Sequence, residues 1–154
     1  MINEAKGETS MEYRNYNNVI YLRLDKGDEV LSSIVDVCEK EGIKSCVFSG
    51  IGGCDYAKLG TFRPGEGTYA DYETEGMLEL VSLNGDIKSS EEGPLIHAHA
   101  CLSYEENGAI KLIGGHLLSL RVLITAEIEI RPVIGGVIKT KPGQVRGTKV
   151  WAFE

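Results

Sequence analysis

Between Val30 and Cys38 the apolar residues Val30, Leu31, Ile34, Val35, Val37 and Cys38 recur at helical spacing. This predicts one amphipathic helix with a single buried stripe. Asp28 stands where an N-cap belongs and Gly42 where a helix of that length stops. Elsewhere the period is two. From Arg121 to Arg131 the residues Val122, Ile124, Ala126, Ile128 and Ile130 alternate with Thr125, Glu127 and Glu129, the pattern of a strand with one buried face. Val19 to Leu24 alternates in part, and Lys44–Ile51, Met77–Leu83, Leu95–Tyr104 and Ala109–Ile113 are β-prone runs. Asp55–Phe62 and Thr68–Thr74 predict a hairpin around Pro64-Gly65-Glu66-Gly67. Further turn signals lie at Ser49-Gly50-Ile51-Gly52-Gly53, Asn84-Gly85 and Glu105–Gly108.

One helix among seven or eight mostly hairpin-linked strands predicts an α+β fold with a largely antiparallel sheet. The chain has 154 residues, a length suited to one domain. Residues 1–15 read as a loose leader and 16–154 as a single domain that closes in a basic segment, 131–150. The leader lacks the apolar centre of a signal peptide. No apolar run approaches the roughly 20 residues that span a bilayer, so a cytoplasmic location without membrane contact is expected. Cysteines at 38, 46, 54 and 101 form no Cys-x-x-Cys pair, which fits free thiols in a reducing compartment.

The net charge of −7 argues against nonspecific nucleic-acid binding by the bulk surface. Its distribution is uneven. From Ile130 to Phe153 there are five basic residues, Arg131, Lys139, Lys141, Arg146 and Lys149, and no acid. Such a segment suits contact with an anion or phosphate backbone, a solvated tail, or packing on an acidic neighbour.

All three histidines, His97, His99 and His116, fall within twenty residues. On a strand His97 and His99 point to the same side. An imidazole from the next strand, His116, would complete a three-nitrogen face for zinc or another divalent metal, leaving one position open to a ligand. A metal so held can polarise a carbonyl or phosphoryl oxygen of a small molecule. Cys101 shares the face, and as a fourth ligand it would close the site. The alternative is that the histidines are hydrogen-bonded residues at a subunit interface. Glu79, between Leu78 and Leu80, is a candidate to orient a ligand histidine or act as a general base, unless it simply faces solvent. The Gly50-x-Gly52-Gly53 run lacks the Rossmann spacing and the Walker lysine, so a tight turn is the expectation there.

Ser49-Gly-Ile-Gly52, Leu78-Glu79-Leu-Val-Ser82-Leu83-x-Gly85, His97-Ala-His99-Ala-x-Leu102-Ser103 and Gly114-Gly-His-Leu117 occur in this order. Together they resemble the PPC domain, the plant and prokaryote conserved domain of stand-alone archaeal and bacterial proteins and of plant AT-hook proteins. The resemblance covers about Val19 to Val133. It implies a largely antiparallel sheet, a homotrimer, and a zinc-type metal on His97, His99 and His116. It also brings a DNA-binding alternative, with the basic segments of a trimer acting together. Two departures weaken a plant-type role: no Arg-Gly-Arg-Pro core is present, and Gly76-Met-Leu-Glu79-Leu lacks the arginine and phenylalanine of the plant partner-binding segment.

Overall fold

A computed structural model describes residues 11–153. In chain order the elements are β1 (Glu12–Tyr16), β2 (Val19–Asp25), α1 (Val30–Lys40), β3 (Cys46–Arg63), β4 (Thr68–Ser90), β5 (Gly93–Glu106), β6 (Ala109–Pro132), β7 (Lys139–Pro142) and β8 (Lys149–Ala152). The expected leader lies outside the described residues as far as residue 10. Its last part is not loose, because Glu12–Tyr16 pairs along its length with β2. Asn17 and Asn18, both at positive φ, make the tight connection.

The eight strands form one mostly antiparallel sheet, with a single parallel bridge between β4 and β7. Four of them close a circuit: β3 pairs with β4 and β6, and β5 also pairs with β4 and β6. β6 runs against β5 up to His116 and against β3 from His116 onward. Val30, Ile34, Val37 and Cys38 of α1 join Ile20, Leu24, Ile87, Leu102 and Ile130 of the strands in one buried cluster. Burial of each such side chain stabilises the fold by about 1.5–3 kcal/mol. Helix α1 covers one face of the sheet. The opposite face carries Tyr21, Ile51, Val81, His97 and His99 toward solvent.

The helix begins one residue later than its sequence suggests. Glu29, not Asp28, is the N-cap, and its carboxylate accepts the Ser32 N–H at 2.7 Å. The other carboxylate oxygen accepts the Leu120 N–H at 3.0 Å, so the longer side chain ties the helix start to β6. Asp28 instead closes the preceding turn by accepting the Asp25 N–H at 2.9 Å.

Two expected turns are strand interiors. Ser49–Gly53 lies within β3 and Asn84-Gly85 within β4. These glycines serve close approach. A Cβ on Gly52 would sit 2.4 Å from the Thr125 carbonyl oxygen, and one on Gly85 would sit 2.3 Å from the Phe48 ring and 2.5 Å from the His97 carbonyl oxygen. With those turns gone, the short runs merge into strands of 18 and 23 residues.

The basic segment is a docked hairpin rather than a solvated tail. Strand β7 pairs with β8, the Ser89 N–H donates to the Ile138 carbonyl at 2.9 Å, and the Ile138 N–H donates to the Ser45 hydroxyl at 3.0 Å. Cys38, Cys46 and Cys54 are buried, Cys101 is half-buried, and all four are free thiols. No helix among the described residues is long and apolar enough to cross a membrane.

Gly85→Ala should cost about 1–3 kcal/mol, the range for overpacking a filled interior. Gly136 meets nothing within 4 Å of an added Cβ, so Gly136→Ala should stay within about 0.5 kcal/mol of the parent. Urea denaturation of both variants checks the contrast.

Candidate metal centre

His97 and His99 alternate along β5 with Ala98 and Ala100, which take the buried face. The imidazoles are therefore driven to the open face. His116 reaches them because β6 places it directly opposite His99, at the residue where its pairing passes from β5 to β3. The ring centroids of His97 and His99 are 5.2 Å apart, those of His97 and His116 4.9 Å, and those of His99 and His116 4.2 Å. One nitrogen from each ring lies within 4.8 Å of the others. The structure thus gathers the three histidines singled out in the sequence.

An ion pair stands beside them. Asp86 is opposite His97 in the β4–β5 register, with Oδ2 3.8 Å from His97 Nδ1. Its Oδ1 accepts from Lys88 Nζ at 2.6 Å, and the Lys88 side chain is only 3% exposed. A lysine this buried needs such a partner. The aromatic ring of Tyr69 meets His116 edge-on, 4.6 Å between centroids, and Phe62 backs Tyr69 at 5.3 Å.

These surroundings disfavour protonation of His97 and His116. Partial burial lowers the pKa of His97, with the Lys88 charge and His99 adding to the effect and Asp86 opposing it. Burial, followed by His99 and His97, pushes His116 down to about 4. Neutral imidazoles carry the lone pairs that a metal needs.

Cys101 and Glu79 stay outside the cluster. Cys101 follows on the same face, opposite Ser82 and Gly114, and its thiol is not part of the converging donor set. Glu79 is exposed and pairs with Gly53 and Ser103, earlier in β4 than Asn84, the partner of His99. It does not orient a histidine. Strand alternation turned it to the open face among Val81, Ile124 and Glu127, and Asp86 is the carboxylate beside the cluster. Sequence reasoning missed Asp86, Lys88 and Tyr69. Equal steps back from the Glu91-Glu92 turn place Asp86 opposite His97, a signal the hairpin held.

The depressed His116 pKa sets a pH response. Below the ordinary histidine value of about 6.5 the unfolded chain takes up a proton that the folded chain refuses. The metal-free protein should therefore lose stability as pH falls from about 6.5 toward about 4, and level off below. His116→Asn should flatten that slope in urea titrations at pH 7 and 4.5, and an unchanged slope would count against this assignment.

The sequence profile of the Plants and Prokaryotes Conserved (PCC) domain matches residues 11–134. Among solved structures, a plant- and prokaryote-conserved (PPC) protein of Pyrococcus horikoshii superposes with a TM-score of 0.79 at 31% identity, covering 96% of each chain. A metal-containing protein of Archaeoglobus fulgidus superposes at 0.78 with 26% identity, over 94% of this chain and 99% of that one. A protein of Ralstonia eutropha JMP134, named as a candidate DNA-binding protein, superposes at 0.82 with 25% identity, over 92% and 96%. No curated protein gives a match.

Proposed function

The chain belongs to the Plants and Prokaryotes Conserved domain family, and we propose that it is a metal-binding member whose three-histidine centre presents zinc, or another divalent ion, to a small anionic or carbonyl-bearing ligand. One observation carries this reading: three imidazoles from two strands place a nitrogen each within 4.8 Å of one another. Tetrahedral zinc with nitrogens at about 2.0–2.1 Å sets those nitrogens about 3.4 Å apart. Small side-chain rotations of His97, His99 and His116 cover the difference. The likeness to a metal-containing archaeal protein supports the same reading.

The chain's own residues prepare the site. Asp86 Oδ2 stands 3.8 Å from His97 Nδ1, and a closer approach would make Nδ1–H its donor and leave Nε2 for the metal. Lys88 holds Asp86 through its other oxygen. Tyr69 packs against His116 and limits its ring rotation. With no fourth ligand in the donor set among the described residues, a bound ion would serve as a Lewis acid with a coordination position open to the ligand.

The homotrimer implied by the family suits the open face. Tyr16, Tyr21, Ile51 and Val81 are each half or more exposed, or nearly so, along one trough of that face, and exposed apolar patches of this kind mark contact surfaces. A second reading rests on the docked basic hairpin, where Lys139, Lys141, Arg146 and Lys149 are all exposed. Three such hairpins on a trimer would bind duplex DNA through phosphate contacts, with affinity falling steeply as salt rises.

Elemental analysis of protein purified without a tag should find about one divalent ion per chain, absent from the His97→Ala/His99→Ala variant. Saturation at about 100 times Kd should raise stability by about 2.7 kcal/mol over the metal-free form. Absence of metal even after reconstitution would refute the reading. Sedimentation should show three chains per particle and dissociation on Ile51→Glu. Duplex DNA titrated at low and high salt separates the second reading, which fails if no binding occurs at low salt.

A further inference from the structure

A cleft of about 590 Å³ opens directly on His97 and His99, and nothing in the metal reading accounts for its other walls. Ser49, Asn84, Arg131 and Trp151 are among the residues that form them. The size suits a small molecule. Trp151 comes from β8, far from the histidines in sequence. It is brought here because the β7–β8 hairpin is pinned to the β4 edge and Ser45. Phe153 meets the indole edge-on at 6.1 Å, while 40% of Trp151 remains accessible. An indole held in this way offers a flat apolar surface to one wall of the cleft.

Arg131 supplies the polar counterpart. Its Nε donates to Glu129 at 2.5 Å, which orients the guanidinium and leaves its two terminal amino groups for a planar acceptor. The chemistry of the walls decides between ligand classes. Asp86 and Glu129 are both in the lining, so a compact dianion such as phosphate meets two carboxylates and gains nothing from an indole face. A single carboxylate on a flat ring matches both the guanidinium fork and the indole.

We infer that this cleft binds small aromatic monocarboxylates, with the ring against Trp151 and the carboxylate on the Arg131 side, toward the histidines. The inference names the ligand class of the three-histidine centre and rests on that reading for the role of a metal.

The test uses benzoate and acetate as probes on the zinc-loaded protein, by calorimetry and by emission of Trp151, the only tryptophan in the chain. Benzoate should bind at least about tenfold more tightly than acetate and should change the emission. Trp151→Ala should bring benzoate to the level of acetate, and Trp151→Phe should keep most of the preference. Arg131→Gln should weaken both probes by about tenfold. Zinc content in all three variants should equal that of the parent. Equal affinity for benzoate and acetate in the parent, or Trp151→Ala and Arg131→Gln variants that bind as the parent does, would overturn the inference. Zinc content in the same samples reads the metal centre separately. A parent without zinc refutes that centre, yet benzoate preference that persists and disappears in Trp151→Ala upholds the cleft.

Discussion

The exchange of partners along β6 is the constraint on which the rest of the molecule depends. Backbone N–H and C=O groups within a sheet must be paired, and β6 meets this need with β5 up to His116 and with β3 beyond it. That handover closes β3, β4, β5 and β6 into a circuit and leaves the core-facing side for α1 and its apolar stripe. It also determines where chemistry can occur. His116 is opposite His99 on one neighbour and Gly60 on the other, so the point where the circuit closes is also the point where a third imidazole joins the first two.

Strands that bend through such a circuit need places where backbones approach closely. Gly52 and Gly85 occupy two of them, each with a carbonyl oxygen or an aromatic ring where a Cβ would stand. The crowding at Gly85 sits beside His97, whose carbonyl oxygen is one of the obstructing atoms. A side chain there would displace β5 and the histidine it carries. Fold packing and site geometry therefore share one requirement, and the glycine-rich character of the chain reflects tight strand contact as well as turns.

Charge around the centre is arranged in the same economical way. Lys88 is almost fully buried and is neutralised by Asp86, whose other oxygen faces His97. Partial burial and then the Lys88 charge disfavour protonation of His97, as burial and the neighbouring rings do for His116. The outcome is a cluster of lone pairs on an otherwise acidic protein. The cleft beside it has an oriented guanidinium and an accessible indole, so the face that carries the histidines also carries the groups able to recognise what approaches them.

The hydrophobic pattern by itself determined one helix between Asp28 and Gly42 and largely antiparallel strands elsewhere, as the described residues have it, because periods of 3.6 and 2 report local geometry. It also placed His97 and His99 on one face, since alternation is a property of the strand alone. Turn chemistry misled where glycine served packing: Ser49–Gly53 and Asn84-Gly85 carry turn composition, yet the reason for their glycines lies on β6, β3 and β5, remote in sequence. Glu79 and Asp86 show the same limit at the site. Both are carboxylates on β4, and only cross-strand register, set by the Glu91-Glu92 turn, brings Asp86 rather than Glu79 to the histidines. Tyr69 and Trp151 arrive through pairings of distant segments. Which side of a strand a residue faces is a local matter, but which residue stands across from it is decided only when the strands pair.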